Sequence, residues 1–272
     1  MRGFFRLSIA YLAVAILAIQ LVRGDAATDM VIAFHLTLMM IPNPTMVLIL
    51  LGAVALGAFL AYHLRPFGDL VARLCLAVFS TFIFMASFAM LKVLMTDIRP
   101  FHADPFLADL DLWLHGGVVP WRTAHAWAQS LPMALIEPLY IHVWGVLAMT
   151  FPIVLAAQDP DEARIKRFLV LYCVAWIGLG NIGAFAGLSA GPVYYDRVVG
   201  GERFAELTAA IDSGLFATPL IGAIQDRLWM FHTEGLKMMG TGISAFPSVH
   251  VAVACVVSLY VVERMLWLLP VA

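Results

Sequence analysis

The chain has 272 residues, of which 62% are hydrophobic and only 12% are charged, and its formal net charge is −2. A soluble domain usually carries about twice that charged fraction, and a chain without excess positive charge is not expected to bind nucleic acid. Several apolar runs approach the roughly 20 residues that cross the hydrocarbon core of a bilayer. The composition therefore predicts an all-α protein, a polytopic transmembrane helical bundle that forms a single domain over residues 1–272.

About six apolar segments are predicted to span the membrane. Their approximate bounds are 4–23, 45–62, 71–91, 133–156, 168–189 and 248–269. The first segment lacks a clean cleavage site after its apolar core, so we expect a retained span rather than a removed signal peptide. Residues 30–41 are too short to span the bilayer, and residues 104–131 mix tryptophan, aspartate, histidine and proline. Both segments are predicted to form interfacial helices, in two outer loops, and residues 190–246 form the largest polar insertion.

The distribution of positive charge predicts the orientation of the chain. Three short basic segments are expected to face the cytoplasm. Their cations are Arg2 and Arg6, then Arg65 and Arg73, then Arg164, Lys166 and Arg167. The loops at residues 92–132 and 190–246 would then lie on the opposite side. We therefore expect an integral protein of a bacterial inner membrane whose unusual polar residues face the periplasm.

The segment KVLMTDIRP, residues 92–100, carries two cations at the outer end of the third predicted span. Lys92 and Arg99 are seven residues apart, which is two helical turns, so they project from one face. Pro100 should end the helix at Arg99. Arginine binds phosphate bidentately and lysine binds it as a point charge, so the pair predicts a phosphate-binding site. Two cations that extend toward the lipid headgroups would be the alternative.

The segment SAFPSVHVAV, residues 244–253, places Ser248 and His250 at the start of the last predicted span. Pro247 suits the first turn of a helix, where its missing N–H is no loss. Ser248 and His250 would then share that turn with unpaired N–H groups that attract an anion. Ser248 can donate a hydrogen bond to a phosphoryl oxygen, and His250 can deliver a proton to a leaving alkoxide near neutral pH. An N-capping serine beside an interfacial histidine is the alternative.

The two segments together resemble the type 2 phosphatidic acid phosphatase (PAP2) superfamily. Its first motif, K-x6-R-P, is matched in full by Lys92, Arg99 and Pro100. Its second motif is usually P-S-G-H, and here Val249 replaces the glycine. This replacement is more similar to the branch that contains the inositol phosphorylceramide synthases, which the segment SAGPVYYDR at residues 189–197 also resembles.

The resemblance implies a role for each matched residue. Lys92, Arg99 and Ser248 would bind the phosphate of a phospholipid or lipid phosphate, and His250 would assist departure of the leaving group. The superfamily acts through a phosphohistidine and needs no metal or cofactor. Water as acceptor would make the protein a phosphatase, and an alcohol such as a polyol or ceramide would make it a phosphotransferase.

The third motif of the superfamily, S-R-x5-H-x3-D, does not occur in the 272 residues. Its histidine attacks phosphorus and its aspartate orients that histidine. We therefore expect a C-terminally incomplete chain, whose nucleophile lies beyond Ala272 and which is catalytically inactive as it stands. Replacement of the nucleophile by another histidine is the alternative. The candidates are His35, His63, His102, His115, His125, His142 and His232.

Several polar residues outside the two motifs suggest further roles. His102, Tyr194, Tyr195 and Arg197 are predicted to line the pocket, although the last three could instead fold the insertion. Four aspartates in the first polar loop match no calcium-binding spacing, so no metal site is predicted there.

A non-catalytic protein that binds or transports phospholipid is the alternative function. An ion pathway through Glu137 and His142 is weaker, because the other spans are nearly uniformly apolar.

Overall fold

The computed structural model describes residues 1–24, 52, 59, 67–128, 132, 136–137, 139–213, 219–235 and 241–266. These residues are mostly helical and contain no strand, which confirms the all-α prediction. Three helices are long and apolar enough to cross a membrane. They are Arg2–Arg23, Gly68–Ile98 and Glu162–Ala186. They confirm the first, third and fifth predicted spans, whereas the second span (apart from residues 52 and 59) and residues 30–41 lie outside the described residues.

Helix α1, Arg2–Arg23, buries a single face. Its buried residues recur every three or four positions, a spacing that keeps them on one side of a helix. They are Phe4, Ser8, Tyr11, Ala15 and Ile19. The helix ends at Gly24, whose φ of 77° is left-handed and costs glycine little because it has no Cβ.

Helix α2, Phe67–Ile98, has 32 residues and is therefore about 48 Å long. A bilayer core is only about 30 Å thick, so the helix is longer than a membrane crossing requires. The hydroxyls of Ser80, Thr81 and Ser87 each donate to the carbonyl four residues earlier. These three hydroxyls are thus satisfied within the helix itself.

The described part of the polar segment at residues 92–132 contains two short helices, α3 at Asp104–Leu114 and α4 at Pro120–Ala128. The prediction of helix within residues 104–131 is confirmed by both. The fourth predicted span is helical throughout its described residues, but it is not uniformly α-helical. It contains π-helical turns at Leu139–Trp144, followed by α5 at Gly145–Gln158, which is apolar but has only 14 residues. The wider π-helical hydrogen bonding interrupts the α-helix at this point.

Helix α6, Glu162–Ala186, begins after the N-cap residue Asp161. The Asp161 carboxylate accepts hydrogen bonds from the backbone N–H groups of Ala163 and Arg164, which satisfies two donors at the helix start. The helix is α-helical as far as Cys173 and then π-helical over Val174–Gly183. π-Helical turns inside α-helices often occur at functional sites.

The described part of the large insertion at residues 190–246 contains several short helices. They are α7 at Tyr195–Val198, α8 at Ala205–Asp212 and α9 at Pro219–Thr233. The last described helix, α10, is Val249–Leu266 and covers most of the sixth predicted span.

The chain divides into two compact units. The first unit comprises Met1–Lys92, His142–Ile182 and Ser248–Ala272, and the second comprises Val93–Ile141 and Gly183–Pro247. An aromatic core packs the first unit. The Phe84 and Tyr172 ring centroids lie 5.7 Å apart, and the Tyr172 hydroxyl donates to the Ala148 carbonyl at 2.9 Å. Aromatic pairs of this kind contribute roughly 0.5–1.5 kcal/mol beyond their buried area.

Basic residues from two of the predicted cytoplasmic segments meet at one end of the first unit. Arg73 at the start of α2 pairs with Glu162 at the start of α6, with Nη1 and Oε1 2.8 Å apart. Arg167 in α6 pairs with Glu263 near the end of α10. Arg73 and Arg167, which help to predict the orientation, thus lie at the same end of this unit. The side of the membrane that this end faces stays a prediction.

Candidate functional site

Lys92 lies in α2, six residues before the last residue of that helix, and contacts the π-helical part of α6. Its ammonium donates a hydrogen bond to the Gly180 carbonyl, with Nζ 3.4 Å from the oxygen. The side chain is half-buried. One backbone carbonyl uses only one of the three ammonium donors, so Lys92 can contact an anion while it remains anchored to α6.

Gly180 is also packed tightly between side chains of α2 and α10 within the first unit. A Cβ at this position would lie 2.7 Å from Phe88 Cε2 and 2.7 Å from Val249 Cγ2. Only glycine fits a contact this tight without movement of its neighbours. Phe88 is one helical turn before Lys92, and Val249 lies between Ser248 and His250. Gly180 therefore brings Lys92 and the segment Ser248–His250 to the same part of the first unit.

Ser248 is the N-cap of α10, and Pro247 lies before the helix rather than in its first turn, where it was expected. The Ser248 hydroxyl oxygen accepts a hydrogen bond from the Val251 N–H at 3.3 Å. Ser248 therefore acts as an N-cap, which is the alternative to phosphate binding given above for this residue. Capping uses the oxygen as an acceptor, so the hydroxyl proton can still be donated to a ligand. Ser248 is exposed, as such a contact requires.

His250 lies in the first turn of α10 and stacks on an indole. Its ring centroid is 4.5 Å from that of Trp144, and the two planes are 21° apart. His250 follows Val249, which packs at the same glycine, Gly180, whose carbonyl binds Lys92. Trp144 is the last residue of the π-helical turns before α5. The sequence offered no signal for this tryptophan, because its contact with His250 spans more than 100 residues.

Arg99 belongs to the second unit. It is exposed, it directly follows α2, and its backbone N–H donates to the Met95 carbonyl at 3.0 Å. Pro100 follows, and the helix ends where the proline was expected to end it. The phosphate-binding role of Arg99 stays a prediction.

His102 makes two contacts with backbone carbonyls of the second unit. Its Nδ1 lies 3.3 Å from the Pro100 oxygen, and its Nε2 lies 3.1 Å from the Ala186 oxygen. These contacts hold the residues after α2 against the end of α6. The pocket-lining role predicted for His102 is therefore accompanied by a structural one.

Tyr194, Tyr195 and Arg197 all make packing contacts inside the second unit. The Tyr194 hydroxyl donates to the Gln225 carbonyl at 2.8 Å, and its burial raises the pKa of that hydroxyl to about 12. Tyr194 stacks on Trp229, and the Arg197 guanidinium lies 5.5 Å from the same indole ring. Tyr195 packs against Phe204 and also lines a cavity of about 260 Å³. Most of these contacts stabilise the fold of the insertion. This is the alternative to pocket lining given above for these three residues.

Asp104 makes a contact that the sequence did not suggest. It is 3% exposed, and its two carboxylate oxygens accept hydrogen bonds from the N–H groups of Ala190 and Gly191 at 2.9 and 2.8 Å. A charged side chain thus holds the SAGPVYYDR segment in place within the second unit. Among the described residues, no group of three or more histidine, cysteine, aspartate or glutamate side chains could hold a metal ion.

Replacing Asp104 with asparagine should lower the free energy of unfolding by about 2 kcal/mol. Asparagine keeps one acceptor oxygen but loses the charge and the second acceptor, so one buried N–H is left unsatisfied. Thermal unfolding in detergent measures the loss, and amide hydrogen exchange at Ala190 and Gly191 should become faster. Asp109 pairs with Arg203 at 2.7 Å on the surface, so Asp109→Asn is the matched control and should cost less than about 1 kcal/mol. Equal losses in the two variants would contradict the assigned role.

The helices and their composition define a class: this is an all-α membrane protein, and three helices in the described part of the chain are long and apolar enough to cross a bilayer. No protein-family model, no curated protein and no solved structure matches the chain.

Proposed function

We propose that the protein is an integral membrane enzyme that cleaves or transfers a phosphoester group on a lipid. The observation that carries this proposal is the junction at Gly180, which brings Lys92 to the segment that contains Ser248 and His250. A half-buried cation, an exposed hydroxyl at a helix N-terminus and an imidazole suit a phosphate group and its leaving oxygen. These are the residues that carry the resemblance to the type 2 phosphatidic acid phosphatase superfamily.

In the proposed reaction, Lys92, Arg99 and Ser248 bind the non-bridging oxygens of the phosphate. A histidine nitrogen attacks phosphorus, so that a P–N bond forms and the P–O bond to the leaving alkoxide breaks. His250 gives its proton to that alkoxide. Water or an alcohol then attacks phosphorus and the P–N bond breaks, while His250 recovers a proton from the attacking oxygen. The products are inorganic phosphate with water as acceptor, and a new phosphoester with an alcohol.

We further propose that the site faces the periplasm of a bacterial inner membrane. The support is the basic cluster formed by Arg73, Arg164 and Arg167 at the opposite end of the first unit. Short basic segments stay preferentially in the cytoplasm. Lys92, Ser248 and His250 would then open toward the other side.

The proposal is tested with the gene expressed to its natural stop codon and the protein reconstituted in nanodiscs. Phosphate release from phosphatidic acid measures hydrolysis, and conversion of phosphatidylinositol in the presence of ceramide measures transfer. Lys92→Ala should lower the active rate by about tenfold to a hundredfold, because a charge-assisted contact with the phosphate is lost. Lys92→Arg should retain most of the rate, since the charge is kept.

Arg122→Ala is the matched control for removal of a cation. Arg122 pairs with Glu206 in the second unit and is exposed, so its loss should leave the rate unchanged. Rates at the wild-type level in Lys92→Ala would contradict the proposal.

A second candidate function is a non-catalytic protein that binds or transports phospholipid. The observation in its favour is that the S-R-x5-H-x3-D pattern does not occur in the 272 residues. It predicts that phosphatidic acid binds, that Lys92→Ala weakens binding, and that neither phosphate release nor transfer is detected. The same reconstituted samples distinguish the two functions.

A further inference from the structure

An apolar groove runs along the first unit between α1 and α6. Its volume is about 820 Å³, which falls in the range of small-ligand sites. The walls consist mostly of aliphatic and aromatic side chains from the two helices. They include Phe4, Leu7, Leu169, Val174, Ile177 and Ile182.

Two glycines line this groove beside open space. A Cβ at Gly3 would meet no atom within 4 Å, and a Cβ at Gly178 would meet only Val174 Cγ1, at an ordinary contact distance of 3.6 Å. Apolar side chains along α6 remain exposed beside them, with Val174 53% and Ile182 66% exposed. The groove can therefore accept a chain of methylene groups close to the backbone of α6.

The groove has a charged end. Lys166 and Glu162, one helical turn apart near the start of α6, line it there. The Glu162 carboxylate is paired with Arg73 at 2.8 Å, so its charge is matched from outside the groove. Lys166 is exposed at the same end, and Arg2 follows Met1, which lines the groove as well. The net charge at this end is positive, whereas the rest of the groove is apolar.

We propose that this groove binds an anionic phospholipid, with the phosphate at Lys166 and one acyl chain along Leu169, Val174 and Ile177. Cationic pockets between transmembrane helices, beside the leaflet rich in anionic lipid, bind such headgroups. Fourteen residues separate Lys166 from Gly180, roughly 20 Å along a helix. The headgroup is therefore remote from Lys92 and His250, and this lipid is a resident ligand rather than the reacting one.

Lipid retention tests the proposal. The protein is delipidated in detergent and incubated with phosphatidylglycerol or with phosphatidylcholine of the same acyl chains, and the bound lipid is counted by native mass spectrometry. The wild-type protein should retain phosphatidylglycerol in preference to phosphatidylcholine. Lys166→Ala should weaken retention of phosphatidylglycerol by about fivefold, the contribution of one cation near an anionic headgroup, and Lys166→Arg should restore it.

Gly178→Leu places a side chain inside the groove without a backbone clash and should abolish retention of both lipids. Gly222→Leu is the matched control, because a Cβ at Gly222 in α9 meets no atom within 4 Å and Gly222 lies outside the groove.

Equal retention of the two lipids by the wild-type protein would refute the proposal, as would full retention by Gly178→Leu. A dimer that is lost in Gly178→Leu would assign the groove to a second copy instead. If Gly178→Leu does not fold, the retention of phosphatidylglycerol by Lys166→Ala and Lys166→Arg still tests the proposal. None of these measurements depends on phosphoester turnover.

Discussion

Replacing Arg164 with alanine should lower the free energy of unfolding by about 3–5 kcal/mol, the usual cost of removing one partner from a buried ion pair. The Arg164 guanidinium binds both oxygens of the Asp159 carboxylate, with Nε to Oδ2 at 2.7 Å and Nη2 to Oδ1 at 2.8 Å. Arg164 is 5% exposed and Asp159 only 2%. The alanine variant would leave a carboxylate buried without its bidentate partner.

Reversible unfolding in mixed micelles measures this loss. Arg203→Ala is the matched control, since Arg203 makes a bond of the same length to Asp109 at the surface and should contribute about 1 kcal/mol or less. The double variant Asp159→Leu with Arg164→Met removes both charges and should recover much of the stability. A cost for Arg164→Ala no larger than that for Arg203→Ala would show that the pair is not buried as described.

The same pair makes stability depend on pH. Burial alone would raise the pKa of Asp159, but the hydrogen bonds from Arg164 and from the Asp161 N–H outweigh it and hold that pKa below its ordinary value of 3.8. A carboxyl whose pKa is lower in the folded state stabilises the fold above the unfolded pKa. This contribution should therefore be complete above about pH 4 and lost as the pH falls through the lowered pKa. Arg164→Ala should remove most of that acid sensitivity.

The membrane fold was accessible from sequence because it depends on local hydropathy. A run such as α1 must be helical in a bilayer, where each backbone group needs a partner within the segment. The fourth predicted span shows the limit of this reasoning. Hydropathy records that Leu139–Trp144 and α5 are both apolar, but it does not distinguish π-helical from α-helical hydrogen bonding.

The candidate site was accessible only where its chemistry lies within a short segment. Lys92, Ser248 and His250 stand out because polar residues are costly near apolar runs. Gly180 and Trp144 do not stand out, since glycine and tryptophan are common in membrane helices and their roles depend on partners distant in sequence. In the sequence Asp104 is only one of four aspartates in the first polar loop, whereas in the structure its carboxylate accepts hydrogen bonds from backbone N–H groups 86 and 87 residues away. Contacts of this range are set by tertiary packing.

His250→Ala should reduce the rate of the proposed phosphoester reaction by about 10²–10⁴-fold, the usual contribution of a positioned general acid. The geometry that supports this expectation is the stacking of the imidazole on Trp144, which limits the ring to a narrow range of orientations. Lys92 donates to the carbonyl of Gly180, and Val249, the neighbour of His250, packs at the same glycine, so a phosphate bound at Lys92 would bring the leaving oxygen toward His250. His250→Gln should lose nearly as much, because glutamine can donate a hydrogen bond but cannot transfer the proton.

The choice of substrate separates proton donation from a merely structural role. An alkyl leaving group, as in phosphatidic acid, departs as a strongly basic alkoxide and needs the proton. A p-nitrophenyl leaving group departs as a stable anion and does not. The loss in His250→Ala should therefore be far smaller for a p-nitrophenyl phosphoester than for phosphatidic acid, whereas a damaged fold would slow both equally. Trp144→Phe retains a ring beside the imidazole and should cost less than either His250 variant. Equal losses on the two substrates would remove His250 from the proton-donor role and leave it as a residue that shapes the site.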